Sequence, residues 1–413
     1  MQQSETDSSD MEELLTQVFV LQKMGYTKIA LQKCTDSIAR GEDNEEVVIL
    51  AAELYIEGDD LNAAYDLLTL SALRYPDCLD IDVLIGEICS QLGHTGEAVE
   101  RLSSVLGKAP DHKKAVIYLA KILADNGQFQ SVCNTLDKYI AVDEHDQWIY
   151  IFSATILDYY GKPDLAASYL SRARKFFPQS LHFSYLMTAV GGGEVPDRAP
   201  AEYMRELFDQ SANSYDEHLK SLGNAGPRLV SEAIEHLGLK GAGDYSILDA
   251  GCGTGLCGGL LKPYARWLEG VDISPKMLEQ AQERGCYDSI QCSDIVEFTR
   301  LTEQKYDLVL LSDVLVYFGS LHEILANLSR CLIEGGHVVF SVETLEPQSG
   351  VDQGCRLAAN GRYSHTPEYV LYVLGQSGFD QPGMIKHDII RHEFGEPVNC
   401  LMVVARSSKI SNI

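Results

Sequence analysis

Residues 247–255 read ILDAGCGTG. Apolar residues run into an acid, Asp249, and Gly251, Gly253 and Gly255 follow at alternate positions. Without side chains there, backbone N–H groups can come up against a ligand at a helix N-terminus, so the stretch predicts a buried strand, a tight loop and a ligand-holding turn. Leu256 stands where a dinucleotide fingerprint has its third glycine, which disfavours a nicotinamide cofactor.

Around this stretch short apolar runs alternate with helical ones: SILDAG, LEGVDI, SIQCSD, YDLVLLS and GGHVVFSV, then MIKHDIIRH and VNCLMVVAR. Strands alternating with helices predict a parallel sheet covered on both faces, and the last two runs, with only turn residues between them, should pair antiparallel. Asp272 closes the second run, 21 residues beyond Gly251, where a carboxylate can accept both hydroxyls of a ribose. Met277, in ISPKML, lies on the first turns of the next helix, suited to an adenine face. Asp294 ends the third run beside Ile295. Any one of these acids could simply cap a helix. Three at successive strand ends point to an adenosyl ligand.

These motifs, LDAGCGTG, VDIS, CSDI and YDLVLLSDVLVYF, resemble those of the class I S-adenosylmethionine-dependent methyltransferases over about residues 200–406. The resemblance implies a Rossmann-like seven-stranded α/β domain. It places the methionine part of S-adenosylmethionine on the Gly251–Gly255 loop, Cys252 and Gly253 included, ordered by Asp249. It gives the ribose to Asp272, the adenine faces to Ile273 and Met277, the adenine amine to Asp294 beside Ile295, and the cofactor ammonium to the Ser312 carbonyl. Upstream, LFDQSANSYDEHL (207–219) is similar to the lid helix of quinone-pathway methyltransferases and of the biotin-pathway carboxyl methyltransferase, with Phe208, Ala212, Tyr215 and Asp216 in register. Tyr215 is thereby a candidate both for holding the cofactor and for catalysis.

For the methyl acceptor, SDVLVYF lacks an Asn-Pro-Pro-Tyr type sequence and no Pro-Cys follows it, unlike amino- and cytosine-directed nucleic-acid methyltransferases. Asp313 and Tyr317, with Arg362, Tyr363 and His365 of GRYSH, are expected to face the substrate. Transfer from a sulfonium depends mainly on holding the nucleophile in line, so a base is optional. Where one is needed His365 is the candidate, since an imidazole titrates near neutrality, with Tyr215 and Tyr363 as further catalytic groups. No metal site is expected.

The amino-terminal half repeats with a step of 34 residues. Ala30, Ala64, Ala98 and Ala166 keep it, as do Gly25, Gly93, Gly127 and Gly161, with Asp59 standing in once. Ala52, Gly86, Ala120 and Ala154 form a third register, Leu68, Leu102, Leu136 and Leu170 a fourth, and Pro76, Pro110 and Pro178 fall after the second helices. Small residues where two helices cross, a glycine at the turn and a proline past the second helix describe helical hairpins. This resembles the tetratricopeptide repeat, in about five units over residues 11–180, with 181–190 as a capping helix. The whole layout resembles bacterial predicted methyltransferases containing such repeats. The expected organisation is a disordered tail (1–10), an all-α repeat domain (11–190), a linker (191–200, GGGEVPDRAP) and a methyltransferase domain (201–413), an α plus α/β chain.

Lys and Arg total 33 against 60 Asp and Glu, a net charge of −27 spread over both halves, which disfavours a nucleic-acid substrate. Eleven cysteines without a C-x-x-C pair exclude zinc ribbons and predict a reducing compartment. With no signal-peptide pattern at MQQSETDSSD and no run long enough to span a membrane, a cytoplasmic location is expected. The first functional reading is a methyltransferase acting on a protein or protein-carried substrate docked on the concave face of the repeats. A free quinone, phenol or carboxylic acid is the alternative acceptor, and a non-catalytic cofactor-binding scaffold the third reading.

Overall fold

The computed structural model describes residues 2–23, 25–191, 193–345, 354–393 and 396–408. Two compact units divide the chain, Met1–Ile149 and Tyr150–Ile413.

In the first unit the 34-residue step becomes paired antiparallel helices: Thr27–Arg40 after Gln2–Lys23, Leu61–Arg74 after Glu45–Glu57, Thr95–Lys108 after Leu79–Gln91 and Phe129–Val142 after Lys113–Asp125. The turns need left-handed backbone, and Gly25, Gly93 and Gly127 supply it at φ 79°, 80° and 69°. Asp59 takes the same conformation at φ 60°, one of only two non-glycine residues at positive φ among those described, so its place in the glycine register is structural. Ala30, Ala64, Ala98 and Val132 at the crossing positions are fully buried, as are Leu68, Leu102 and Leu136. Pro76 and Pro110 fall two residues beyond the helices ending at Arg74 and Lys108. Helix reaches back to Gln2, where a disordered tail was expected: no glycine or proline interrupts the run to Lys23. Cys89, His94 and Glu97 bring potential metal-ligand atoms within 4.8 Å of one another. Glu97 already accepts from Tyr65 at 3.1 Å and pairs with Arg101 at 3.7 Å.

The second unit holds the fifth hairpin (its second helix Pro163–Phe176), the capping helix Leu181–Ala189 and the sheet. The strands are β1 (Tyr245–Ala250), β2 (Ala265–Asp272), β3 (Ser289–Cys292), β4 (Tyr306–Leu311), β5 (Leu332–Thr344), β6 (Cys355–Leu357), β7 (Tyr363–His365), β8 (Met384–Glu393) and β9 (Glu396–Arg406). The order β3-β2-β1-β4-β5 is parallel throughout; β9 runs antiparallel beside β5, and β8 antiparallel beside β9. These are the seven expected strands. Two more, β6 and β7, form a short antiparallel pair set against the end of β5 through Glu343–Ser364 and Thr344–His365. The helix Gly226–Leu237 lays Leu229, Val230, Ala233 and Ile234 on a core of Ile247, Leu268, Leu308 and Val339.

The unit boundary falls at Ile149/Tyr150, not at the glycine- and proline-rich segment 191–200. Much of that segment's backbone is engaged within the second unit. Asp197 accepts from the N–H groups of Gly319 and Ser320 at 2.8 and 2.9 Å, and Ala199 donates to Tyr317 at 2.8 Å. The fifth hairpin is bonded to the same unit: Asp158 accepts from Arg356 at 2.9 Å and from the Ala359 N–H at 3.0 Å, and the Tyr185 hydroxyl donates to the Gly361 carbonyl at 3.1 Å. Composition signals a break in periodicity at 191–200; it carries no information on where those backbone groups find partners.

Candidate active site

The carboxyl ends of β1, β2 and β4 open on one cleft of about 700 Å³ of empty space. Parallel strands end here on the same side and their following loops supply the lining, the usual ligand position in an open α/β sheet. Gly251 and Gly253 form one wall, at φ 79° and 54°. A Cβ on Gly251 would lie 2.5 Å from Val314, so only glycine lets the loop pass there. The Gly251 and Cys252 N–H groups both donate to the Val271 carbonyl, at 2.7 and 3.0 Å, pinning the loop to β2.

Asp272 is buried and lines the cleft. One of its oxygens accepts from the Gly253 N–H and the other from the Ser274 N–H, both at 2.9 Å. Burial raises its pKa against the pull of those donors. Asp294 caps the helix Ile295–Leu301 through the N–H groups of Val296 and Glu297. Its two oxygens also accept from Arg198, at 2.9 and 2.8 Å. Ile273, Met277 and Ile295 supply apolar surface to the same cleft, which Ser312 and Tyr215 also line.

Nine of the residues expected to hold a cofactor thus share one cleft: Gly251, Gly253, Asp272, Ile273, Met277, Asp294, Ile295, Ser312 and Tyr215. Asp249, Cys252 and Gly255 are not among its lining residues. Asp249 is buried behind the loop, accepting from the Tyr287 hydroxyl at 2.8 Å, and burial pushes its pKa up to about 7. Cys252 turns its side chain inward, where burial raises the thiol well above its ordinary range. Gly255 packs against Tyr287. Arg198, Met204 and Phe318 line the cleft without having been singled out from the sequence. An arginine in a segment read as linker offers no signal until the chain is folded back.

The segment 207–219, expected as a lid helix, falls on a helix, Ala201–Ser211, a 3-10 turn, Ala212–Ser214, and a second helix, Tyr215–Ser221, rather than on one continuous helix. Asp216 ties it to the glycine loop, accepting from the Thr254 hydroxyl at 2.6 Å and pairing with Arg284. Asp209 accepts from Ser274 at 2.6 Å. Phe208 meets Tyr215 edge-on at 6.0 Å and Tyr317, just beyond β4, at 5.6 Å.

Two catalytic candidates lie elsewhere. His365 is fully buried on β7, not in the cleft lining, its ring stacked on Tyr369. Its Nε2 lies 3.2 Å from the Gly319 carbonyl, which can only accept, so the proton is on Nε2; Nδ1 has no partner among the described residues. Burial lowers its pKa to about 4, so it is neutral at pH 7 and shielded from solvent. Tyr363 is likewise buried and donates to the Pro196 carbonyl at 2.5 Å. Both lie on β7, two positions apart and so on one face of the strand. Tyr215 does reach the cleft, with burial raising its phenol so that it stays protonated.

An imidazole whose folded pKa is depressed binds fewer protons folded than unfolded, so its burial costs stability as pH falls from about 6.5 towards 4. His182, also lowered to about 4 by burial, acts in the same window. His365→Gln should therefore make the unfolding midpoint less acid-sensitive between those pH values while leaving cofactor affinity within about threefold, checked by thermal melts across pH and by calorimetry.

Residues 248–340 match a family described as "Methyltransferase domain". Within these residues the chain carries a methyltransferase domain on a Rossmann-like sheet. Over 150 residues it is 29% identical to a malonyl-[acyl-carrier protein] O-methyltransferase of Erwinia pyrifoliae, covering 36% of this chain and 55% of the relative. Over 180 residues it is 32% identical to the biotin biosynthesis bifunctional protein BioCD of Bordetella avium, covering 42% and 36%. The chain thus spans at most little more than half of either relative. Among solved structures, the N-methyltransferase NodS of Bradyrhizobium japonicum WM9, in complex with S-adenosyl-L-homocysteine, is similar over 49% of this chain and 98% of its own, at 21% identity and a TM-score of 0.39. No described helix is long and apolar enough to cross a membrane.

The residues of the methyltransferase domain fit its cofactor. Paired acids at the ends of adjacent strands, an apolar surface in the same cleft and a glycine loop with no side chains on the cleft side suit an adenosyl group with an amino-acid tail.

Proposed function

We propose that this chain methylates a protein, or a group carried on a protein, recruited by its helical repeats. The observation that carries the reading is the single cleft in which the glycine loop, Asp272, Asp294 and the lid residues Phe208 and Tyr215 converge. S-adenosylmethionine supplies there an electrophilic methyl group on a positively charged sulfur. Asp272 would hold the ribose and Asp294, shared with Arg198, the adenine amine. Phe208, Tyr215 and Tyr317 exclude water from the acceptor end, so that rate comes from positioning. Asp313 is the ionisable side chain at that end able to take a proton. A protein-carried acceptor is supported by the Erwinia relative, whose name specifies an acyl-carrier protein, and by a repeat array of the kind that presents a concave docking face.

The test is methyl transfer from labelled S-adenosylmethionine into an extract by the full chain. Label is expected in the protein fraction. Label confined to small molecules would refute the protein-carried acceptor, and failure to bind S-adenosylmethionine would refute the enzyme.

A further inference from the structure

Behind the acceptor end lies a cluster of five charged side chains, only one of which, Asp313, reaches the cleft lining. Arg391 of β8 is completely buried; it pairs with Glu343, donates to Glu393 at 2.7 Å and lies 3.4 Å from Asp313. Arg362 sits 3.3 Å from Glu343, 3.8 Å from Glu393 and 4.0 Å from Asp313, with its guanidinium 5.9 Å from the centre of the Tyr317 ring. Against the effect of burial, the two arginines hold Glu393 below the usual carboxylate range, and the acids hold both arginines above theirs. Two guanidinium groups thus face three carboxylates, leaving one negative charge in excess. Asp313, whose two carboxylate oxygens face Arg391 and Arg362, carries this excess to the cleft lining, which Tyr215, Phe208 and Tyr317 share. Arg198, the only cationic side chain in the lining among the described residues, is paired with Asp294.

We infer that the methyl acceptor is an amine that enters as a cation, and not a carboxylate. The inference rests on the methyltransferase reading above. Aromatic faces and an excess carboxylate attract a cation. A carboxylate acceptor would bring an anion against like charge, with no unpaired cation among the described lining residues to receive it. In the reaction the ammonium gives one proton to Asp313, which passes it to water. The nitrogen lone pair then forms the bond to the methyl carbon as the carbon–sulfur bond breaks, its electron pair remaining on sulfur. The positive charge moves from sulfur to nitrogen within the same aromatic and acidic surroundings, so no new charge has to be stabilised.

Binding and product chemistry test this independently of turnover. Calorimetry on the full chain compares S-adenosylhomocysteine with sinefungin, an analogue bearing an amine where the transferable methyl would be. Sinefungin should bind at least about tenfold tighter. Asp313→Asn should erase most of that preference while changing S-adenosylhomocysteine affinity less than about threefold, which also reports that the variant is folded. Label transferred into the extract should survive base, which releases methyl esters as methanol, and should run with methylated amines after acid hydrolysis. Base-labile label, or label that does not run with methylated amines, would overturn the amine. If S-adenosylhomocysteine itself failed to bind, the methyltransferase reading would fall, and this inference with it.

Discussion

Asp272→Ala lowers affinity for S-adenosylhomocysteine by at least about a hundredfold in a chain that remains folded. Two charge-assisted hydrogen bonds to ribose hydroxyls contribute roughly 1.5–3 kcal/mol each, and about 1.4 kcal/mol is a factor of ten. The same carboxylate holds the loop, because Gly253 and Ser274 both donate to it at 2.9 Å. Alanine therefore removes the ligand's acceptor and leaves both N–H groups without their side-chain partner. Asp272→Asn keeps one acceptor oxygen and should lose less. Calorimetry measures the affinities and circular dichroism checks the fold; an unchanged affinity in a folded variant would show that the ribose does not sit on Asp272.

Arg391→Met should cost the fold more than most single substitutions in this chain. Removing one partner of a buried ion pair typically costs about 3–5 kcal/mol, because the charges left behind are neither paired nor solvated. Here Glu343, Glu393 and Asp313 would be left facing Arg362 alone. The pH dependence identifies the cause. In the native cluster Glu393 is depressed, so its contribution is present above the unfolded carboxylate pKa and lost as pH falls through the lower folded value. In the variant the remaining acids should be raised instead, so the native state binds the extra proton and the lost stability returns as pH drops from 7 towards 5. Melts at several pH values test this; a loss independent of pH would mean that packing around Arg391, not charge, was removed.

Local chemistry made much of this molecule legible. The 34-residue step predicted the hairpins because each turn needs a residue tolerant of positive φ, and even the exception, Asp59, adopts it. The seven main strands followed from apolar runs that a buried parallel sheet requires. Asp272, Asp294 and Met277 could be placed because residues just past the ends of parallel strands share one side of the sheet, so sequence position translates directly into site position. Asp249, at the end of β1, and Cys252, in the glycine loop, are buried and do not line the cleft.

His365 failed as a candidate for a different reason. Whether an imidazole is a base near neutrality depends on its desolvation, and three residues of β7 pairing with the end of β5 are too short to carry a readable pattern. The segment 191–200 misled similarly, since its composition reports backbone freedom in isolation, not the Asp197 and Ala199 bonds to residues 317–320.

By itself the sequence determined the periodic parts of this protein: hairpins of 34 residues, a parallel sheet through strand–helix alternation, and the acids at successive strand ends. Each depends on interactions within a turn, a hairpin or one strand-to-helix crossover. Tertiary structure alone decided that the fifth hairpin belongs with the sheet, that Arg198 shares Asp294, and that Arg391, Arg362, Glu343, Glu393 and Asp313 meet behind the acceptor end. Arg198 and Asp294 are 96 positions apart, and Arg391 and Asp313 are 78 apart. A charge has no periodicity to betray its partner, and only packing in a low-dielectric interior makes the pairing matter.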